Sequence, residues 1–253
     1  MPVALITGAS SGLGAEFARQ LAKRGADLVL VARSEAALER IAAEAGELYG
    51  VRTEVLVADL ADPEQIARVE ARAASTEHPL DVLVNNAGFG LPLAFETNPV
   101  QDEVRHLRVH DEATLRLMHA ALGPMLARGG GRIVNVASIA AFMPRSTYGA
   151  AKAWTVQFSR WANAVYAPRG VTVTALCPGF VHTDFHERLG LPPGEEGIAP
   201  WMWLNAPDVV AEALRDAARG RSVSVPSLRW KAIRRVMPFL PDRLTARLGL
   251  HGR

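Results

Sequence analysis

Within "TYGAAKAW" (147–154), Tyr148 stands four residues before Lys152. On a helix that is about one turn, so both side chains project from the same face, and Gly149, Ala150 and Ala151 leave the space around them open. A free phenol titrates near about 10, and a cation beside it stabilises the phenolate and moves that value toward neutrality. Tyr148 with Lys152 is therefore suited to acid–base chemistry. Taken alone, the pair reads first as a packed tyrosine and a snorkelling lysine on an amphipathic helix. The rest of the chain has to decide between the two.

A chemical role needs a scaffold to aim that helix. Six short apolar runs, "VALIT" (3–7), "LVLVA" (28–32), "EVLVA" (54–58), "DVLVN" (81–85), "RIVNV" (132–136) and "VTVTAL" (171–176), alternate with stretches of helical periodicity. Runs that are apolar almost throughout are strands buried on both faces, and the helices between them supply the crossovers. The pattern predicts an α/β chain, a Rossmann-like doubly wound fold with a central parallel sheet flanked by helices on both faces. With 253 residues, 49% of them apolar, and no Ser/Gly linker or internal repeat, a single domain over 1–253 is expected. Such sheets bind ligands beyond the carboxyl ends of their strands.

The residues at those ends are informative. After the first run comes "TGASSGLG", with Gly8, Gly12 and Gly14 leading into a helical stretch. Glycines there permit a tight turn and close backbone approach, so that free N–H groups and the positive end of the helix dipole can hold a pyrophosphate. The second run ends on Ala32 and Arg33, where an acidic residue would bind a ribose 2′-hydroxyl. A guanidinium at that point pairs with a 2′-phosphate instead, which favours NADP(H) and leaves NAD(H) as the alternative. After the third run, Asp59 falls at the expected position of an adenine.

With these features in place the chain resembles the short-chain dehydrogenase/reductase family, in its compact single-domain NADP(H)-preferring branch, over nearly its whole length. "TGASSGLG" matches the family's cofactor turn, "NNAG" (85–88) its sheet-stabilising motif, Ser138, Tyr148 and Lys152 its catalytic set, and "CPGFVHT" (177–183) its Pro-Gly segment. The resemblance implies hydride transfer between a nicotinamide cofactor and a carbonyl or secondary alcohol. Tyr148 would be the general acid/base, Lys152 its electrostatic partner and a ribose ligand, and Ser138 the donor to the substrate oxygen. It also assigns Ser10, Ser11 and Leu13 of the turn, Leu60 beside Asp59, Asn86, Ala87 and Gly88, and Pro178, Gly179, Val181 and Thr183 to the cofactor, with Thr183 meeting the nicotinamide carboxamide. A homodimer or homotetramer through the helices around 100–127 and 147–167 is implied as well.

Two departures from the family pattern stand out. Where relatives carry a relay asparagine, alignment puts His110, an imidazole that can donate, accept and titrate near neutral pH. A buried histidine with no catalytic part is the competing expectation. The interval from Ser138 to Tyr148 is ten residues, shorter than usual in the family. Both departures motivate a different class of function, a cofactor-binding scaffold or redox sensor with little turnover.

The remaining sequence bounds the partners. Cys177 is the only cysteine, which excludes an internal disulfide, points to a reducing compartment and hence the cytoplasm, and reads as a small buried residue. The N-terminus is too briefly apolar for a leader or a membrane span. A substrate loop is expected at about 185–205, where Trp201, Met202, Trp203 and Leu204 join Phe89, Phe142, Met143 and Phe180 as candidates for an apolar pocket suited to an apolar carbonyl or alcohol substrate. His182 and His186, with Asp184 and Glu187 nearby, do not amount to a metal site, and none is expected. From 221 onward eight Lys/Arg face one acid, Asp242, giving +7, while the first 220 residues carry −5 of the total +2. This basic C-terminal extension, about 226–253, places Trp230, Ile233 and Met237 at helical spacing. Packing against the body or a subunit is favoured over peripheral membrane contact. No nucleic-acid partner is expected, since the basic residues lack the aromatic constellation of such readers.

Overall fold

The computed structural model describes residues 1–144, 146–183, 199–239 and 241. Seven parallel strands form one sheet in the order β3-β2-β1-β4-β5-β6-β9. The predicted runs supply β1 (Val3–Thr7), β2 (Asp27–Ala32), β3 (Thr53–Val57), β4 (Val82–Asn85), β5 (Gly131–Val136) and β6 (Val171–Leu176). A seventh strand, β9 (Val223–Ser224), pairs with β6 at Ala175 and Leu176 and closes the sheet edge. Helices α1 (Gly12–Ala22), α2 (Glu35–Tyr49), α3 (Pro63–Ala73), α5 (Ala113–Ala127), α6 (Thr147–Tyr166) and α7 (Ala206–Ala218) provide the crossovers and cover the sheet.

Alternation along the strands explains the two helical layers. In β1, Ala4 and Ile6 pack with Phe17 of α1, Leu38 of α2 and Val209 of α7, whereas Leu5 points the other way, to Ile66 of α3 and Leu117 of α5. All of these side chains are buried, so a strand displaced by one residue would exchange the side chains of the two cores and misfit both. The strand order reverses between β1 and β4, which leaves a crevice beyond their carboxyl ends.

Two local features shape that crevice. α4 (Val100–Leu107) runs through a π-turn, Arg108–Glu112, into α5. Beyond β6, the short strands β7 (Phe180–Val181) and β8 (Trp203–Leu204) pair in parallel as Phe180 with Trp203 and Val181 with Leu204. Much of the predicted substrate loop, with Asp184, His186 and Glu187, lies outside the described residues, as does most of the chain after Phe239. The basic extension begins as α8 (Leu228–Val236), followed by a 3-10 turn at Met237–Phe239.

Candidate active site

The turn between β1 and α1 is locked by contacts that only glycine permits. Gly8 and Gly12 have φ of 64° and 55°, a region that side chains disfavour. A Cβ on Gly14 would lie 2.0 Å from the Gly8 carbonyl oxygen, so this glycine lets α1 close against the turn. Across the crevice Asn86 Nδ2 donates to the carbonyls of Thr7 (3.0 Å) and Gly8 (3.2 Å). The Thr7 hydroxyl in turn accepts from the N–H groups of Asn86 and Ala87, each at 3.0 Å. The "TGASSGLG" and "NNAG" motifs are thus one hydrogen-bonded unit, opening on the N-terminus of α1, whose first turn carries no acid.

This unit forms one end of a cavity of about 950 Å³. Every residue assigned to the cofactor or to catalysis from the sequence lines it, apart from Gly14, which packs beneath the turn. At the β2 end Arg33 is exposed and makes no ion pair among the described residues. Asp59, after β3, is engaged differently: it accepts from Ala61 N–H (3.0 Å) and pairs with Arg105 of α4 (2.5 Å). Burial would raise the Asp59 carboxyl, but the Ala61 N–H, Arg105 and Arg33 outweigh it and hold the group below its ordinary value. Arg105 also lines the cavity and was not singled out from the sequence. The donor set fits a phosphorylated dinucleotide, with backbone N–H groups at a helix start and an exposed guanidinium one strand away.

The other end of the cavity gathers the hydroxyl groups. Ser146 caps α6 by accepting from Gly149 N–H (3.2 Å), which starts the helix immediately before Tyr148. Ser138 follows β5 and caps a 3-10 turn, Ile139–Phe142. That turn takes up the short interval, so that Ser138 and Tyr148 line the same end of the cavity, with Ser138 near enough to act on the phenol. The ten-residue spacing therefore does not separate them. Ile139 N–H donates to the Pro178 carbonyl (2.9 Å), which joins this wall to the Pro-Gly segment.

The expected electrostatics of the pair need correcting. Lys152 Nζ donates to the Val136 carbonyl (2.7 Å) and lies 5.6 Å from the centroid of the Tyr148 ring. Burial pushes the Tyr148 phenol up to about 12, with Ser138 acting against it, and Lys152 is not among the groups that bring it down. Burial also lowers the Lys152 ammonium to about 8, opposed by Asp111. Removing the phenolate from water outweighs a cation whose head is held on a backbone carbonyl.

His110 sits in the π-turn with Nε2 2.8 Å from the Phe89 carbonyl and 3.1 Å from the Phe89 amide nitrogen. One tautomer donates to the carbonyl, the other accepts from the N–H. Its ring stands edge-on to Tyr148, 5.6 Å between centroids. Burial first, then Lys152 and His106, drives its pKa well below the ordinary value, so the expectation of titration near neutral pH is overturned and the imidazole is neutral. His106, one helical turn earlier, stacks on it at 4.1 Å and 29°. This second ring is buried, with its pKa lowered to about 4 mainly by burial. Sequence reasoning passed over it, although its four-residue separation from His110 was the available signal.

The apolar pocket forms only in part from the predicted residues. Phe89, Met143 and Phe180 line the cavity. Phe142 does not; it lies under Arg234 at 4.8 Å. Trp201 to Leu204 do not line the cavity; they form a 3-10 turn leading into β8. Trp203 stacks on His182 (4.7 Å), Leu204 is buried, and the Met202 carbonyl accepts from Trp230 Nε1 (3.1 Å). Trp230 itself packs flat against Gly179, where a Cβ would come within 2.0 Å of the indole. Cys177 is buried, and burial pushes its thiol up to about 12, consistent with an unreactive side chain. Among the described residues no group of three or more His, Cys, Asp or Glu is placed to hold a metal, and no helix is long and apolar enough to cross a membrane.

Comparison with known proteins follows the same lines. Residues 2–192 match the family described as short chain dehydrogenase. Over 188 residues the chain is 35% identical to a very-long-chain 3-oxoacyl-CoA reductase of Anas platyrhynchos, covering 71% of this chain but only 60% of that protein. It is also 35% identical to a D-beta-hydroxybutyrate dehydrogenase of Rhizobium meliloti over 191 residues, 73% of each chain. Among solved structures, a short-chain dehydrogenase from Sphingobium yanoikuyae in complex with NADPH superposes with a TM-score of 0.85 at 34% identity, covering 94% of both chains. A bulky-bulky ketone specific alcohol dehydrogenase from Comamonas testosteroni gives 0.80 at 31% identity, over 94% of this chain and 93% of that one.

Proposed function

Because the chain belongs to the short-chain dehydrogenase/reductase family, we propose that it uses NADP(H) to interconvert an apolar ketone and its secondary alcohol. The observation that carries the reading is that Ser138, Tyr148 and Lys152 together line one end of a cavity whose other end holds Arg33. When bound, the nicotinamide supplies or accepts the hydride. Backbone N–H groups at the start of α1 hold the pyrophosphate, and Arg33 takes the 2′-phosphate. Lys152 lies beside Tyr148, where it binds the nicotinamide ribose.

The chain's own groups handle the substrate oxygen. Ser138 donates a hydrogen bond to the carbonyl oxygen, stabilising the charge that develops there. With a phenol pushed up to about 12, Tyr148 is protonated at neutral pH and is poised to deliver its proton to that oxygen. The neutral His110 accepts or donates at Phe89 and holds its ring edge-on to Tyr148, so any relay through it runs on an uncharged imidazole. Phe89, Met143 and Phe180 favour an apolar substrate. Exposed Val104, Leu107 and Leu115 on α4 and α5, with Trp161 and Val165 on α6, support a homodimer or homotetramer through these helices.

NADPH oxidation over a panel of hydrophobic ketones, wild type against Tyr148→Phe, tests the reading. Turnover on at least one ketone that falls by a factor of about 100 or more in the variant is expected. Tight NADPH binding with no tyrosine-dependent turnover on any ketone would replace the enzyme with a cofactor-binding scaffold.

A further inference from the structure

Helix α8 has two apolar faces, and only one is covered. Trp230, Ile233 and Met237 pack inward on the core. Leu228, Ala232 and Val236 recur every four residues on the opposite side, and Phe239 in the following turn continues the same line. Leu228 is 83% exposed, Val236 55% and Phe239 84%. Trp201, 58% exposed, is held beside the helix because Arg229 donates to its carbonyl. Arg229 and Arg235, both exposed, flank the stripe on its two sides.

The helix is a firm platform for this surface. Glu212 of α7 accepts from Ser227 N–H (3.1 Å) and pairs with Lys231, while the Trp230 indole is wedged against Gly179. The apolar stripe thus faces outward on a helix already fixed to the body, with cations along both its borders. We infer that α8 docks the protein on an anionic phospholipid surface, with Leu228, Val236, Phe239 and Trp201 entering the interface and Arg229 and Arg235 meeting the headgroups.

Charge argues against a two-fold pairing of copies through this helix. From residue 221 onward the chain carries +7, whereas the remainder carries −5. A two-fold contact through α8 would bring its arginines against their own mates, a like-charge meeting that disfavours pairing. The exposed apolar residues of α4, α5 and α6 already offer another surface for self-association. An anionic bilayer satisfies both halves of the surface, since it takes apolar side chains below the headgroups and attracts the flanking cations. The inner face of the same helix props Gly179 and Phe180 at the cavity. Docking would therefore set the apolar pocket close to a source of apolar substrate.

Flotation of the full chain with vesicles tests the inference, using phosphatidylcholine alone and phosphatidylcholine mixed with phosphatidylglycerol. Binding to the anionic vesicles, weakened by salt, is expected. Combining Leu228→Ser with Phe239→Ser should weaken it about tenfold or more, and Arg235→Gln about fivefold. Circular dichroism and NADPH binding should be unchanged in both variants. Absence of binding, equal binding to neutral vesicles, or affinity unaffected by the double substitution would each overturn the inference. So would a double variant that changes only the sedimentation size, which would assign the stripe to a second copy.

Discussion

The contact between Gly179 and Trp230 yields a prediction that can be worked from its geometry. A methyl group on residue 179 would sit 2.0 Å from the indole, whereas carbon atoms rest at about 3.5–4.0 Å, so the ring must retreat by about 1.5 Å or more. The backbone at Gly179 is not left-handed, so overpacking is the whole penalty, about 1–3 kcal/mol. Trp230 is 2% exposed, and Trp230→Ala should cost about 3–5 kcal/mol through the void and the lost bond to Met202. In the double variant the methyl enters the vacated space and the clash vanishes. The two effects should therefore fall short of additivity by about 1–3 kcal/mol. Urea denaturation followed by far-ultraviolet circular dichroism measures all four proteins without relying on tryptophan fluorescence. NADPH affinity, lowered in Gly179→Ala and partly restored in the double variant, gives an independent reading because Gly179 lines the cavity. Additivity within about 0.5 kcal/mol would refute the argument.

Arg33→Ala should weaken NADP(H) binding about 10- to 100-fold, the loss of a charge-assisted phosphate contact, and leave NAD(H) unaffected; an unchanged ratio in calorimetric titration removes Arg33 from the cofactor. His106 makes stability acid-sensitive. Its pKa falls from 6.5 to about 4 in the fold, so stability present above pH 6.5 is lost as pH falls toward 4, by up to about 1.4 kcal/mol per pH unit for this group. Asp111, raised to about 6 by burial, acts in the opposite sense, but it is common to wild type and variant. His106→Leu should flatten the stability–pH curve in that window, and parallel curves would show that the ring titrates normally.

The sheet was legible because buried parallel strands announce themselves as apolar runs, and six of the seven did so within a residue or two of their observed bounds. β9 did not, since two residues beside β6 leave no run to see. At the site, the glycine turn, "NNAG", Ser138 and Tyr148 could be read because each follows a strand or starts a helix. What escaped was set by burial and by side-chain meetings. Spacing placed Lys152 on the same face as Tyr148 but could not reveal that Val136 holds its head group or that burial dominates the phenol. The stack of His106 on His110 and the pairing of Arg105 with Asp59 arise only once α4 is docked. Met202 to Leu204 read as pocket lining on composition, whereas β8 and the Trp230 indole hold them beside it, and Trp201 is exposed.

The Thr7 hydroxyl has a consequence for how the protein is made. It bonds to residues 79 and 80 positions away, so the glycine turn takes its shape from a contact that closes only after β4 has joined β1. Such long-range closure is the slow class of folding event, and a nascent chain that ends before "NNAG" carries the whole glycine motif without the clamp that shapes it. Cofactor affinity is then a readout of completed folding. The nucleotide in turn stabilises only finished molecules, by about 2.7 kcal/mol at a concentration 100 times its dissociation constant.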